Sequence, residues 1–209
     1  RKFRAQFERE GFALLSLTDQ AGFIQMYSQD RISTLSDLAR QKVWVWEGNA
    51  VHAEAYRSLG IEPVPLPVPT VGEGLASGRI NVITTTPLTC LALGWYQYLH
   101  YVLKLDYRYA PAVIVLRLES LRALGPDLRK LLETVFEKYE PQTIQTIRQD
   151  NEHALAAMKK RGMEIVVPSP KAMDEFKAKT RPVADHLIQK GLFPRALYDE
   201  ILKLKGEDS

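Results

Sequence analysis

Leu75–Tyr98 reads LASGRINVITTTPLTCLALGWYQY, and the order of its parts decides the fold class. Ile80 to Ile83 is almost wholly apolar, as in a parallel strand covered on both faces. Such a strand buries its body and presents only its end. Thr84, Thr85 and Thr86 stand at that end and offer hydroxyls and backbone N–H groups just before Pro87, a residue favoured at the first position of a helix. Ligands of open α/β sheets bind outside the carboxyl ends of strands, so this junction is where a ligand is expected.

Working outward, Pro87 to about Leu105 is crowded with apolar and aromatic residues and predicts a buried helix. Ala112 to Leu118, AVIVLRL, is the strongest strand signal in the chain. From Leu128 to Met158 two apolar stripes predict one long helix that Pro141 kinks without ending. Gly162 closes it, Glu164 to Val167 is a short strand, and two or three helices follow around Pro182 and Pro194.

Toward the N-terminus, Thr70 caps a short helix ended by Gly78. Glu62 to Pro69, EPVPLPVP, has prolines at alternate positions, which suits an edge strand or a polyproline-like connector. Asn49 caps a helix running to about Leu59 and stopped by Gly60. Lys42 to Glu47, KVWVWE, alternates strictly and places Val43 and Val45 on one face, Trp44 and Trp46 on the other. Two readings of these indoles compete: packing in the core, or a stacking wall in a cleft with the N–H free for a partner. Ser33 to Asp37 is a loop with one helical turn, Gly22 to Tyr27 and Phe12 to Leu17 are two short strands, and Lys2 to Glu10 is a helix stopped at Gly11. Strands alternating with helices give an α/β protein.

Composition removes several classes. With 209 residues, 45% of them apolar, a sizeable core is available. The 28 basic and 25 acidic residues are scattered and nearly balanced, so neither nucleic acid nor an anionic membrane surface is an expected partner. Cys90 is the single cysteine, which rules out an internal disulfide or a thiolate metal site and suits a small buried hydrophobe. No run of 18 apolar residues is present in this sequence, and no signal peptide is expected within it. The chain opens at Arg1 rather than methionine, from which a segment upstream is expected.

Catalytic and cofactor motifs are missing as well. His52 and Glu54 form an HxE, but the Pro-Cys-x-x-Cys that would complete a zinc deaminase site is absent. No dinucleotide, phosphate-loop or nucleophile-elbow signature occurs, so no catalytic residue, metal or cofactor is expected.

Taken in order, the segments resemble the substrate-binding subunit of tripartite ATP-independent periplasmic (TRAP) transporters, the DctP-like family. The resemblance rests on Ser33 to Leu38 with Lys42 and Val43, on Leu59 and Gly60 followed by PVPLPVPT, and on Leu75, Gly78, Ile80 and Asn81. It continues through Thr85 to Pro87 and the block LGWYQYLHYVLKLDYRYAPAVIV, and it spans nearly the whole chain.

That resemblance implies a two-lobe, periplasmic-binding-protein-like α/β fold of DctP type, with crossing strands, a cleft and a long bracing helix. Family members begin with about a hundred residues that build most of the first lobe, so the first lobe here is expected to be incomplete. Residues 1–27 would be the remnant of its first part with the first crossing strand. Residues 28–110 would form lobe II, and residues 111–209 the return strand, long helix and C-terminal helices completing lobe I. Many members carry, in the strand after the DLxG segment, an arginine that pairs with a solute carboxylate; Trp44 occupies that position and Arg40 stands where glycine is usual. An indole cannot supply a bidentate salt bridge, which favours a solute with an apolar or planar body over a simple dicarboxylate.

The expected ligand-binding residues are Trp44, Trp46, Thr84, Thr85, Thr86, Asn81, Gln25 and Tyr27. Asn81 also reads as a turn residue flanking the strand, and the threonines also read as helix caps. The implied activity is capture of a small organic solute in the inter-lobe cleft of a periplasmic receptor and its delivery to the TRAP permease, with a homo-oligomer as a means of covering the incomplete lobe. The alternative is a ligand-sensing or protein-interaction module on the same fold. An enzyme would need a titratable cluster at the cleft.

Overall fold

The computed structural model describes residues 2–206. In chain order the elements are α1 (Lys2–Arg9), β1 (Phe12–Ser28), α2 (Leu35–Ala39), β2 (Trp44–Trp46), α3 (Ala50–Ser58), β3 (Val64–Leu66), α4 (Val71–Ala76) and β4 (Val82–Thr85). They continue with α5 (Pro87–Ala92), β5 (Tyr101–Arg117), α6 (Leu118–Ala123), α7 (Pro126–Lys160), β6 (Glu164–Val166), α8 (Pro170–Thr180), α9 (Val183–Gln189) and α10 (Arg195–Lys205). The result is α/β, with a sheet in the order β4-β1-β5-β6 and a parallel pair β2-β3.

Several helix ends follow local chemistry. Asn49 Oδ1 accepts from His52 N at 3.0 Å to start α3, and Gly60, at φ 76°, follows its end. Thr34 and Asp37 form a reciprocal capping box at α2. Thr70 differs from expectation: its hydroxyl donates to the Pro67 carbonyl rather than accepting from α4. α7 runs through Pro141 without interruption.

Four expectations are corrected by tertiary pairing. The two short strands at Phe12–Leu17 and Gly22–Tyr27 are one strand, β1, whose neighbour β5 carries the ladder across the intervening polar residues. The helix expected from Pro87 to Leu105 ends at Ala92, because Gly94 turns left-handed at φ 70° and a 3₁₀ turn, Trp95–Tyr98, follows. What reads as an apolar helix beyond it is the start of β5, so the strand expected from Ala112 begins at Tyr101. The strand expected at Ile80–Ile83 is Val82–Thr85, and it is not purely parallel: it pairs antiparallel with β1 and meets β2 through a parallel bridge, Val43 to Val82.

Two compact units divide the described chain. The first contains residues up to Ile24, Thr86–Leu88 and Asp106–Ala157; the second contains Gln25–Thr85, Thr89–Leu105 and the residues from Met158 onward. β1 and β5 each contribute to both. The division differs from the expected boundaries at the C-terminal end, where residues after 157 belong with the second unit. α8 packs on α2 and α9 on α3, and His186 Nε2 lies 2.7 Å from Glu54 Oε1.

In the second unit one face of the sheet carries Met26, Val43, Val45, Val82, Leu103 and Val166, closed over by Leu38, Tyr56 and Phe176. In the first unit, α7 exposes Leu128, Leu131, Val135 and Tyr139 at one helical spacing, and Val113, Ile114 and Val115 are exposed in succession on β5.

Candidate functional site

The threonine tip is set by the strands that flank β4. Antiparallel pairing places Met26 opposite Thr84, Gln25 opposite Thr85 and Tyr27 opposite Ile83. Opposite residues share a face, so Thr84 lies on the side of Met26 and Val82, and Thr85 lies with Gln25, Tyr27 and Ile83. Counting along β2 from the Val43–Val82 bridge brings Val45 level with Thr84 and sets Trp44 and Trp46 on the Thr85 side. Thr84, Thr85 and Thr86 are only 4%, 8% and 7% exposed. Thr84 Oγ1 is sealed from solvent and has no hydrogen-bond partner among the described residues. A buried hydroxyl without a partner forfeits its hydration for nothing unless a further group arrives.

The indole of Trp44 is 6% exposed, its Nε1–H donates to the Leu66 carbonyl at 3.0 Å, and its ring meets Trp95 edge to face. The packing reading of that residue is therefore realised, and its donor is spent. A hollow shared by this indole and all three hydroxyls does not form, because alternation puts Thr84 on the opposite face. Trp46, one pleat on, is 59% exposed. The two indoles that alternation made equivalent have opposite environments.

Gln25 and Tyr27 are held together on β1, where Tyr27 Oη donates to Gln25 Oε1 at 3.4 Å. Tyr27 is fully buried, and desolvation, with a smaller contribution from nearby Cys90, drives its phenol pKa far upward. Burial likewise pushes the Cys90 thiol up to about 12, so it is an inert core residue.

Asn81 sits at the other end of β4 from the threonines. Its Oδ1 accepts from Lys42 N at 2.8 Å, and its Nδ2 donates to Gln41 Oε1 at 2.8 Å and Asp30 Oδ2 at 3.3 Å. It ties three segments together, with both hydrogens of its Nδ2 committed. At the tip the structure thus gathers Thr84, Thr85 and Gln25, with Tyr27 beside them, and leaves Asn81 apart.

Two residues carry no motif and were not singled out from sequence. Asn151 Oδ1 of α7 accepts from Leu88 N at 3.0 Å, taking up a free N–H in the first turn of α5. Arg108 on β5 is half-buried, and its Nε has no partner among the described residues. A cavity of about 270 Å³ in the first unit is lined by Phe3, Arg4, Leu14 to Leu17, Glu137 and Glu140, with Ser16 Oγ donating to Glu140 Oε1 at 2.5 Å. No group of three or more His, Cys, Asp or Glu side chains able to hold a metal occurs among the described residues. No helix among them is long and apolar enough to cross a membrane.

The sequence profile of bacterial extracellular solute-binding protein, family 7 (DctP), matches residues 1–190, and the chain belongs to that family. Similar solved structures include a TRAP periplasmic solute-binding protein from Desulfovibrio salexigens with bound orotic acid, at TM-score 0.83 and 18% identity, covering 99% of this chain and 65% of that one. Another, from Xanthobacter autotrophicus Py2 with bound β-D-galacturonate, has TM-score 0.86 and 19% identity over 98% of this chain and 66% of its own. The periplasmic ectoine-binding protein of the TeaABC TRAP transporter of Halomonas elongata has TM-score 0.82 and 19% identity over 91% and 61%. The chain thus spans between 61% and 66% of the length of these solved relatives, and at such identities the likeness is one of fold. No curated protein sequence matches it.

Proposed function

We propose that this protein is an extracytoplasmic receptor of TRAP type that takes up a small organic solute at the carboxyl end of β4 and hands it to a membrane permease in the periplasm. The observation that carries the reading is the Thr84 hydroxyl, buried at a strand end without a partner. Thr85, Thr86 and Gln25 complete the polar set there, Tyr27 supports Gln25, and Trp46 offers an exposed ring. Trp44 acts through packing, and Asn81 by holding the start of β4. Solute contacts favour the occupied conformation by their differential affinity, with no covalent step.

The solutes named for the relatives indicate where to look: orotic acid, galacturonate and ectoine are small, compact organic molecules, each with a carboxylate. Purified protein should gain thermal stability with orotate, β-D-galacturonate or ectoine, because a ligand that binds only the native state stabilises it. Uracil and galactose serve as matched counterparts without the carboxylate. A melting temperature indifferent to every solute, charged or neutral, would overturn the reading.

The exposed stripe of Leu128, Leu131, Val135 and Tyr139 favours a second reading, a module that binds a protein partner, including another copy of itself, through the first unit. Light scattering that returns a monomer at all concentrations would remove the second copy from that reading.

A further inference from the structure

We propose that Trp46 is the stacking platform for a flat, carbonyl-bearing ring of the solute. The inference rests on the receptor reading above and names the class of solute: a neutral planar ring with ring carbonyl oxygens, independent of any charged substituent. The chain has three tryptophans. Two are packed away, Trp44 at 6% exposure and Trp95 at 4%, whereas Trp46 is 59% exposed although it ends the same three-residue strand as Trp44. Its backbone is nonetheless fixed. The Trp46 carbonyl accepts from Asn49 N at 3.0 Å, Glu47 N donates to the Leu66 carbonyl at 3.3 Å, and Trp46 is paired with Leu66 in the parallel ladder.

Register places a polar edge beside this ring. From the Val43–Val82 bridge, Trp46 is level with Thr85, and Thr85 pairs with Gln25. The three form one row across β2, β4 and β1, on one face and all within the second unit, with the outer two about 10 Å apart, or two strand spacings. The row behind it, Trp44, Ile83 and Tyr27, is closed: Trp95 meets Trp44, and Ile83 and Tyr27 are fully buried. Gln25 is half-buried, and Tyr27 Oη donates to its Oε1 at 3.4 Å, so what Gln25 can offer a solute is its pair of Nε2 donors.

An indole held on a rigid strand favours a partner with a face as flat as its own, in offset stacking. Donors at the far end of the row select a carbonyl oxygen. No member of the row is charged, so the ring it receives is neutral. A saturated ring offers neither the π face nor the acceptor.

The test titrates wild type, Trp46→Phe and Trp46→Leu calorimetrically with orotate and uracil, which are flat and carry ring carbonyls, and with β-D-galacturonate, galactose and ectoine, whose rings carry none. Acrylamide quenching of wild-type fluorescence reads Trp46 in parallel, as the exposed indole of the three. Orotate or uracil is expected to bind wild type about tenfold or more tighter than the other solutes and to shield the fluorescence. That affinity should fall about tenfold in Trp46→Leu and about threefold or less in Trp46→Phe. Galacturonate, galactose or ectoine bound as tightly as the flat solutes overturns the assigned class, and orotate or uracil affinity unchanged in Trp46→Leu overturns the role of Trp46. Either result leaves the receptor reading intact, whereas absence of binding by all five solutes overturns both. At 59% exposure Trp46→Leu should melt with wild type. Should it fail to fold, quenching that saturating orotate or uracil leaves unchanged in wild type overturns the role of Trp46 by itself.

Discussion

Trp44 stands edge-on to Trp95, ring centroids 5.7 Å apart and planes at 69°, while its N–H is fixed to the Leu66 carbonyl at 3.0 Å. A position that could have faced a solute has become a brace between β2, β3 and the turn after α5. Replacing Trp44 with Ala should therefore cost stability, about 3–5 kcal/mol, rather than affinity alone. Trp44→Phe keeps the ring but strands the carbonyl, for about 1–3 kcal/mol. Urea unfolding measures both. A Trp44→Ala protein as stable as wild type would contradict the packing role.

Thr84→Val should separate stability from binding. Removing an unpartnered hydroxyl from a buried site leaves no acceptor or donor behind, so the unliganded protein should melt at or above the wild-type temperature. Any solute that uses the hydroxyl should bind about three- to tenfold more weakly. Lower stability without solute, combined with unchanged affinity, would show that Thr84 serves the core.

Acid stability should depend on Asp37. Backbone N–H donation from Ser33 leads a set of hydrogen bonds, shared with Thr34, that lowers its pKa from 3.8 to about 2. A folded-state value below the unfolded one stabilises at pH above about 3.8, and the contribution disappears as pH falls toward about 2. Asp37→Asn should flatten stability across that window and lower it at neutral pH, as urea titrations at several pH values would reveal. An unaltered acid limb would refute the capping box as its source.

The contact between α9 and α3 has a similar dependence. The hydrogen bond from His186, with the charges of Lys190 and His186 and a bond from Arg57, lowers the Glu54 pKa. Its contribution is present above the ordinary carboxyl range and is lost as pH falls through the depressed value. Glu54→Gln should raise amide exchange in α9 at neutral pH, and the difference from wild type should shrink as pH falls through the depressed value. Equal exchange in both proteins at pH 7 would mean the helix is held by Leu187 and its apolar neighbours instead.

Leu131→Glu tests the exposed face of α7. At 58% exposure the substitution should leave the melting temperature within about 0.5 kcal/mol of wild type in stability. It should also weaken self-association wherever wild type shows it. Association undiminished in the variant would move the interface elsewhere.

Much of the architecture was legible because its signals are local. Asn49, Gly60, Gly78 and Gly162 mark helix ends through one side chain or one positive φ, and the 3.6-residue stripes between Leu128 and Met158 suffice for a long helix. The threonine run before Pro87 marked a strand end for the same reason. The segment from Tyr101 was misleading because apolar and aromatic density serves a buried helix and a buried strand equally well. Gly94 and the partnership with β1 decided between them.

By itself, the order of residues determined that this is an α/β chain, where α1, α3, α4 and α7 stop, and that β4 ends in hydroxyls. Only the tertiary structure decided which hydroxyl lacks a partner among the described residues, that Trp44 is packed while Trp46 is exposed, and that Asn81 is a tie. Caps and periodicity involve residues a few positions apart. The satisfaction of a buried donor or charge depends on what distant strands and helices bring to it.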